Sequence, residues 1–458
     1  MSGAGQDLWF AHALLPEGWA RGVRLSVASG RIARIETATG RTRGDDAYQV
    51  CVPGMPNLHS HAFQRGMAGL AETRGPSSDS FWTWRDLMYR FVARLNPDQF
   101  EAIAAMAFAE MLEAGFTRVG EFHYLHHDPH GAPYSDRAEM AARIASAADQ
   151  TGIGLTLLPV FYAHSGFGGQ AHQPSQRRFI HDVDGFATLL EASARTLAGL
   201  DDAVLGVAPH SLRAVTEVEL ARVVALAGAA PVHIHVAEQM KEVEDCVAWS
   251  GKRPVQWLLD SGLVGENWCL VHATHVDGQE MATIARSGAV VGLCPVTEAN
   301  LGDGVFPAAP YAAAGGRFGI GSDSNVMIDA AEELRILEYG QRLTHRSRNV
   351  MAGGEGSSTG ADLYRKALAG GAQALGAGDR ALRVGGPADF ICLDMDHPTM
   401  ASRAGDAVLD SWIFAARGGA VENVWRRGRK VVSHGRHVAR EQIVARFRSA
   451  LDDLLGRS

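Results

Sequence analysis

The sequence predicts an α/β protein, namely a (β/α)8 TIM-like barrel with a small β-sandwich domain formed by both chain ends. Two observations lead to this prediction. From residue 50 onward, eight short apolar runs alternate with longer, alanine-rich stretches, and this alternation is typical of a parallel barrel. Short β-like segments bounded by turn residues stand before and after this region, and we expect them to pair with each other.

The elements follow in order along the chain. The first fifty residues hold two β-like segments, Leu8–Leu14 and Val23–Ile35, and Ser29-Gly30 breaks the second. The predicted barrel strands are Val50–Leu58, Arg118–Tyr124, Leu155–Tyr162, Val204–Pro209, Val232–Val236, Trp268–His272, Ala289–Cys294 and Arg317–Ser322. Helix candidates such as Pro97–Ala114 lie between most of them. No Gly-rich dinucleotide fingerprint follows the first strand, which disfavours a doubly wound open sheet.

A second β region begins at Gly385-Gly386-Pro387 and continues through the strands Phe390–Leu393 and Asn423–Val432. The last residues have apolar positions at helical spacing. The predicted domains are therefore 1–52 (N-terminal part of the small β domain), 53–380 (metal-dependent catalytic barrel), 381–438 (C-terminal part of the β domain) and 439–458 (C-terminal helix).

Composition narrows the classes of function. A net charge of -8 over 458 residues provides no basic surface for nucleic acid and no polybasic patch for a membrane. No apolar run has the length of a membrane helix, and the first residues do not read as a signal peptide. The five cysteines are widely spaced, so no disulfide framework is predicted. We expect a cytoplasmic protein without nucleic-acid or membrane partners.

Candidate metal ligands stand at the ends of predicted strands. His59 and His61 end the first strand and share one face because side chains alternate along a strand. His235, His272 and Asp323 end the fifth, sixth and eighth strands. The carboxyl ends of barrel strands build the active site. Histidine nitrogens with one carboxylate suit catalytic zinc, and bound zinc lowers the pKa of water to roughly 7.

Two sets of neighbouring histidines could also supply metal ligands. His233 shares a face with His235, but Glu238 follows His235 at His-x-x-Glu spacing and is placed to carry protons. We therefore take His235 as the ligand and His233 as a structural neighbour. The histidines between His123 and His130 are dense, but the loop offers them only Asp128 as a carboxylate. A second metal site is not predicted there.

These residues resemble the amidohydrolase superfamily. The matching pieces are His59-Ser60-His61, His233-Ile234-His235-Val236-Ala237-Glu238, Val271-His272 and Gly321-Ser322-Asp323-Ser324-Asn325. The fourth strand ends in Ala208-Pro209-His210 with no lysine nearby, so the chain resembles the mononuclear deaminase branch and not the binuclear hydrolases.

Within that branch, further segments are similar to the formimidoylglutamate deiminase family. They are 57–65, 80–85, 120–124, 164–169 and Cys294–Gly304. The resemblance implies zinc-dependent conversion of N-formimino-L-glutamate to N-formyl-L-glutamate and ammonia, in histidine degradation, by a homodimer with one divalent ion per chain. It implies His59, His61, His235 and Asp323 as metal ligands, and Glu238, His272 and Asp323 as catalytic residues.

The loops after the predicted strands fit such a substrate, which carries two carboxylates and one amidine. Arginine binds a carboxylate with two parallel hydrogen bonds. Arg85 follows the first strand and Arg213 follows the fourth, and both are expected on the rim of the active site. Gln64 and Tyr124 follow the first and second strands, His210 lies beside Arg213, and these three complete the predicted substrate-binding set.

Two other functions remain open at this point. An amidohydrolase that deaminates an aromatic base or nucleoside, of the guanine, cytosine or adenosine type, would share every zinc and proton-transfer residue. Two arginines on the rim suit a diacid better than a flat base. A catalytically inactive barrel that acts as a binding protein is disfavoured because Glu238, His272 and Asp323 are all present.

Overall fold

The computed structural model describes residues 6–75 and 81–456 of the chain. In this part of the chain the strands are β1 (Gln6–Leu15), β2 (Gly18–Ala28), β3 (Arg31–Glu36), β4 (Asp46–Pro53), β5 (Met55–Ser60), β6 (Phe116–His123), β7 (Gly154–Phe161), β8 (Val204–Leu205), β9 (Ala208–Pro209), β10 (Val232–Val236), β11 (Trp268–His272), β12 (Val290–Leu293), β13 (Arg317–Ile320), β14 (Phe390–Leu393), β15 (Val421–Arg426), β16 (Arg429–Ser433) and β17 (Arg436–His437).

The α-helices of the same residues are α1 (Phe81–Val92), α2 (Pro97–Glu113), α3 (Glu139–Thr151), α4 (Val183–Leu197), α5 (Glu217–Ala227), α6 (Met240–Ser250), α7 (Pro254–Asp260), α8 (Gly278–Ser287), α9 (Pro295–Leu301), α10 (Ala308–Ala313), α11 (Ala330–His345), α12 (Thr359–Ala374), α13 (Ala407–Phe414) and α14 (Arg440–Leu455). Several begin with a side-chain cap, such as Asn96 before α2 and Thr216 before α5, which satisfies N–H groups that a helix leaves unpaired. None of these helices has both the length and the apolar composition that a membrane crossing requires.

The strands β5 to β13 form the barrel. β5, β6, β7 and β8 pair in parallel, β9 pairs with β7, and β10 to β13 form a second parallel run. Parallel bridges Val207–Val232 and Ser211–His235 join the two runs on one side, and Ser60–Asp323 joins them on the other. The sheet therefore closes on itself with helices in the connections, and the predicted fold class is confirmed.

Closure between β5 and β13 depends on Gly321. A Cβ atom at this position would lie 2.8 Å from the carbonyl oxygen of His59 and 2.9 Å from its Cβ. Asn57 lies beside this contact, where its side chain donates to Ser322 Oγ at 2.7 Å and accepts from the Ser322 N–H at 3.0 Å. The end of the eighth strand is thus held against the first strand, at the point where His59 stands.

Both chain ends build one terminal sheet. Its strand order is β17-β16-β15-β14-β4-β1-β2-β3, so strands from before and after the barrel are hydrogen-bonded together. Phe10, Phe390 and Trp425 pack at its centre, with ring centroids 5.6 Å and 5.0 Å apart. The exact domain limits stay a prediction, and residues 1–5 and 457–458 of the outer segments, like Ser80, lie outside the described residues.

The first predicted barrel strand is two strands in the structure. The apolar run Val50–Leu58 divides at Gly54, where β4 of the terminal sheet ends and β5 of the barrel begins. A Cβ atom on Gly54 would lie 2.1 Å from Thr117 Cγ2, so only glycine lets the chain cross here from one sheet to the other. Hydrophobicity alone could not reveal this break because both strands are buried.

A buried charge network joins the terminal sheet to the barrel. Asp389 accepts hydrogen bonds from Arg426 Nη1 and Arg380 Nη1, both at 2.9 Å. Asp202 accepts from Arg426 and from Arg118 of β6. The three guanidinium groups are almost fully buried, and buried charges are stable only when they are paired.

We predict that Asp389→Ala lowers the free energy of unfolding by about 3–5 kcal/mol, because it leaves two buried arginines without their shared partner. Asp260→Ala is the control, since its ion pair with Lys252 is nearly half exposed and is worth at most about 1 kcal/mol. Urea unfolding of the two variants measures the difference. Equal effects of both substitutions would show that the network contributes little.

Candidate active site

A cavity lies at the carboxyl ends of the barrel strands. Nearly all of the predicted site residues line it, namely His61, Gln64, Arg85, Tyr124, His210, Arg213, His235, Glu238, His272 and Asp323. His59 is fully buried directly beside them. The structure therefore brings the whole predicted set together. Arg85 lies on helix α1 of the connection between β5 and β6 and not in an irregular loop.

The four predicted metal ligands converge at the floor of the cavity. His59 Nε2 and His61 Nε2 each lie 3.3 Å from Asp323 Oδ1, and His235 Nε2 lies 3.0 Å from His59 Nε2. Their donor atoms fall into two groups compact enough to hold a metal ion, one of His59, His61 and Asp323 and one of His59, His235 and His272. His59 is common to both groups, and His272 also lies close to Asp323 and Cys294 in a third. His61 Nδ1 is 3.0 Å from the Phe122 carbonyl oxygen, a contact that directs Nε2 toward the other ligands.

The charge states of these residues fit a divalent cation. Burial lowers the pKa of His59 to about 3 and lowers the pKa of His61 and His235 as well, so all three rings are neutral and have a lone pair to offer. Burial opposes ionisation of Asp323, but its hydrogen bond with His59 outweighs this effect and holds the pKa of Asp323 below the usual range. Neutral imidazoles with one carboxylate are ligands that zinc prefers.

Backbone strain marks the residues that carry this chemistry. Ala237, His272, Ala273, Asp323 and Asn325 all have positive φ angles, between 42° and 66°. Such conformations are rare for residues other than glycine and persist only where the surroundings enforce them. Here they stand at or just past the ends of β10, β11 and β13, where the side chains of His272 and Asp323 line the cavity.

Glu238 and His272 face each other above the metal ligands. His272 Nε2 lies 3.8 Å from Glu238 Oε1 and 3.9 Å from Asp323 Oδ2. Burial raises the pKa of Glu238, which brings it toward the range in which a carboxyl group can both accept and return a proton. Burial opposes protonation of His272, but the charge of Glu238 and a hydrogen bond to Glu298 outweigh it and raise its pKa to about 10.

The opposite side of the cavity is cationic. The guanidinium of Arg85 stacks 4.5 Å from the ring centroid of Trp82, and that of Arg213 lies 5.8 Å from the same ring. Among the described residues, Arg213 has a single ion pair, in which its Nη2 lies 3.9 Å from Glu242 Oε2. The Nε atoms of both arginines have no hydrogen-bond partner in the described part of the chain. Both guanidinium groups line the cavity, where they can bind an anion.

Neutral polar groups lie between the metal ligands and the arginines of the cavity. Gln64 Nε2 donates to Tyr124 Oη at 2.9 Å, which leaves Gln64 Oε1 buried without a partner among the described residues. Burial and the nearby charge of Arg213 lower the pKa of His210, so its ring is neutral and can either donate or accept a hydrogen bond.

Some residues of the site were not predicted from the sequence. Tyr162 and Tyr89 line the cavity beside the arginines, and Glu242 accepts hydrogen bonds from the N–H groups of Ala237 and Glu238. Glu298 contacts His272 and lies in the segment Cys294–Gly304, which the resemblance had singled out. Tyr162 ends a predicted strand, so the rule that found His59 would have found it too.

The other histidines have structural contacts. His233 Nε2 lies 2.8 Å from the Ala374 carbonyl oxygen, below the cavity floor. His126 and His127 bond to the carbonyl oxygens of Val160 and Ile180. In the part of the chain that the structure describes, no group able to hold a metal includes these three histidines.

Comparison with known proteins agrees with this geometry. Residues 50–431 match the model of the amidohydrolase family, and residues 9–48 match the N-terminal domain model of formimidoylglutamate deiminase HutF. A formimidoylglutamate deiminase of Pseudomonas aeruginosa is 53% identical over 97% of this chain and 98% of its own length. A 5-methylthioadenosine/S-adenosylhomocysteine deaminase of Natronomonas pharaonis is 27% identical over 87% of this chain and 84% of its own length.

Two solved structures are also similar to this chain. An amidohydrolase from Brucella melitensis superposes with a TM-score of 0.95 at 57% identity, over 98% of this chain and all of the other. An adenosine deaminase from Xanthomonas campestris with bound zinc has a TM-score of 0.80 at 23% identity over 98% of each chain, which shows a shared fold. With its barrel, its ligand cluster and these matches taken together, the chain belongs to the amidohydrolase family.

Proposed function

We propose that this protein catalyses the zinc-dependent hydrolytic deimination of N-formimino-L-glutamate to N-formyl-L-glutamate and ammonia, a step of histidine degradation. The observation that carries the proposal is the pairing of two features in one cavity. A buried cluster of neutral histidines and a carboxylate lies at one end, and the guanidinium groups of Arg85 and Arg213 line the other. The relative from Pseudomonas aeruginosa bears the name of this activity.

His59, His61, His235 and Asp323 would hold the metal ion, one per chain, and zinc is the ion that this donor set fits. When bound, zinc supplies an activated water at neutral pH and polarises the carbon that is attacked. The ligands are buried and directed toward one another by the closure of the barrel, so little rearrangement of the chain is needed to accept the ion.

Glu238 and Asp323 accept the proton of the attacking water, which adds to the formimino carbon of the substrate. His272, whose Nε2 faces the reaction centre, donates a hydrogen bond to the oxygen on which charge develops. Glu238 returns this proton to the terminal nitrogen and then transfers the hydroxyl proton of the adduct to the same nitrogen as the formyl C=O bond forms. The carbon–nitrogen bond breaks, ammonia leaves, and the N-formyl group remains on glutamate.

Arg85 and Arg213 bind the two carboxylates of the substrate, while Gln64, Tyr124 and His210 align the amidine with the floor of the cavity. Arginine suits this task because its planar fork matches a carboxylate. Glu238 and Glu242 raise the pKa of Arg213 despite its burial, so it is a cation under all physiological conditions. Fixed orientation of the substrate supplies a large part of the rate.

We also propose that the enzyme is a cytoplasmic homodimer without nucleic-acid or membrane partners. The support is the resemblance to the deiminase family together with a net charge of -8. Light scattering of the purified protein tests the dimer, and a monomeric mass would refute it.

The function is tested by incubating zinc-loaded protein with N-formimino-L-glutamate and measuring ammonia, with the second product identified by mass spectrometry. We expect ammonia and N-formyl-L-glutamate in equal amounts, and loss of both after chelation of the metal. The alternative, deamination of an aromatic base or nucleoside, is tested in parallel with guanine, cytosine and adenosine. Turnover of one of these and not of the diacid would overturn the proposal.

We predict that Glu238→Gln lowers kcat by about 10²–10⁴-fold, the contribution of a positioned acid–base group. The amide has the same shape but cannot accept the proton of water. Zinc content should equal that of the wild type, because Glu238 is not among the proposed ligands. Wild-type turnover in this variant would remove Glu238 from the mechanism.

We predict that Arg85→Met and Arg213→Met each raise KM roughly 10- to 100-fold, the value of a charged hydrogen bond at about 1.5–3 kcal/mol. Metal content should not change. The control is Arg222→Met, which removes an exposed cation far from the cavity and should leave KM as it is. Steady-state kinetics of the three variants decides the matter, and unchanged KM in both cavity variants would refute a site for a diacid.

A further inference from the structure

The segment after β12 has a contact that the mechanism above does not use. Residues Cys294–Gly304 form α9 and the turn behind it, at the carboxyl end of the seventh barrel strand. Glu298 of this helix is 5% exposed and points toward β11. Its carboxylate oxygen Oε1 lies 3.3 Å from His272 Nδ1 and accepts a hydrogen bond from the Cys294 N–H at 2.9 Å.

This contact fixes which nitrogen of His272 meets the cavity. A carboxylate only accepts hydrogen bonds, so Nδ1 of His272 must carry a proton and donate it to Glu298. Nε2 then points the other way, toward Glu238 and Asp323. The partner of one ring nitrogen determines the orientation and the task of the other.

Helix α9 is a rigid support for Glu298. Thr297 Oγ1 donates to the Ser322 carbonyl oxygen and lies 2.9 Å from Ser324 Oγ, which ties the helix to the end of the eighth strand. The Val296 N–H donates to Glu333 Oε2 of α11 at 2.9 Å. Helix α9 thus has separate contacts with two neighbouring elements, so it stays supported when one of them is lost, while His272 itself sits on a strained backbone.

We propose that Glu298 is a positioning residue that holds the imidazole ring of His272 by its Nδ1–H, so that Nε2–H faces the oxygen on which charge develops. The expected effect of Glu298 on turnover rests on the proposed deiminase function. Its effect on the orientation of the His272 ring does not. Glu298 has no contact with the substrate-binding arginines among its hydrogen bonds and ion pairs, so it acts on the chemical step and not on substrate affinity.

The variant Glu298→Ala tests this proposal. We expect kcat to fall by about 10- to 100-fold, as for loss of other residues that orient a catalytic side chain, with KM and metal content unchanged. Glu298→Gln should recover most of the activity. The Cys294 N–H needs an acceptor at the position of Oε1, so the amide oxygen stays there and still receives the proton of Nδ1.

Glu333→Ala is the matched control. Glu333 is also buried and also accepts a hydrogen bond from an N–H at the start of α9, that of Val296. Among the described residues, it has no hydrogen bond or ion pair with His272. Both alanine variants lose one anchor of α9 and a similar amount of stability, which thermal unfolding measures. Only Glu298→Ala is expected to lower kcat, and equal loss of kcat in the two variants would show that Glu298 merely stabilises α9.

A readout without substrate separates this inference from the proposed function. In crystals of the zinc-loaded proteins, the ring of His272 should keep its orientation in the wild type, in Glu298→Gln and in Glu333→Ala. It should turn or take two orientations in Glu298→Ala. An unmoved ring in Glu298→Ala overturns the inference, whatever the substrate is. Absence of turnover of N-formimino-L-glutamate by the wild type, with the ring turned in Glu298→Ala, refutes only the proposed function.

Discussion

Hydrogen bonds between the first and the eighth barrel strands are the constraint on which the site depends. The His61 N–H donates to the Asp323 carbonyl oxygen at 2.9 Å, and the Asp323 N–H donates to that of His59 at 3.0 Å. The side chain of Asn325 donates to the carbonyl oxygens of His61 and Asp323, and the missing Cβ of Gly321 permits the approach. These backbone contacts bring the ligands of the first strand, His59 and His61, next to Asp323 after the last strand. The same contacts maintain the strained φ of Asp323.

The cavity has two sides with different charge. The metal-ligand cluster forms its floor, and the arginines form the opposite side. At its floor, burial keeps the histidine rings neutral while Asp323 remains ionised. At its other side, Arg213 is fully ionised beside Glu242, and Arg85 is stacked on Trp82. Buried cations with incomplete hydrogen bonding are costly unless a ligand completes it. The proposed substrate, with carboxylates at one end and an amidine at the other, would complete the hydrogen bonding that the described residues leave open.

The sequence predicted the barrel and its site because strand ends are visible as apolar runs followed by polar residues. His59, His235 and Asp323 could be placed in this way, since their strands begin or end within a few residues of the predicted positions. Two features could not be predicted. The break at Gly54 depends on a steric contact with Thr117 that only the folded structure reveals. The contact between Glu298 and His272 depends on the path of α9 back toward β11, which neither residue spacing nor hydrophobic periodicity encodes.

The central claim is that His59, His61, His235 and Asp323 form one metal site at the closure of the barrel. Anomalous diffraction at the zinc absorption edge, from crystals of zinc-loaded protein, tests it most directly. The account predicts a single strong anomalous peak per chain, in contact with these four side chains and facing Glu238 and His272. A fully loaded protein with its anomalous peak elsewhere, or with His233 in place of His235 among the ligands, would contradict it.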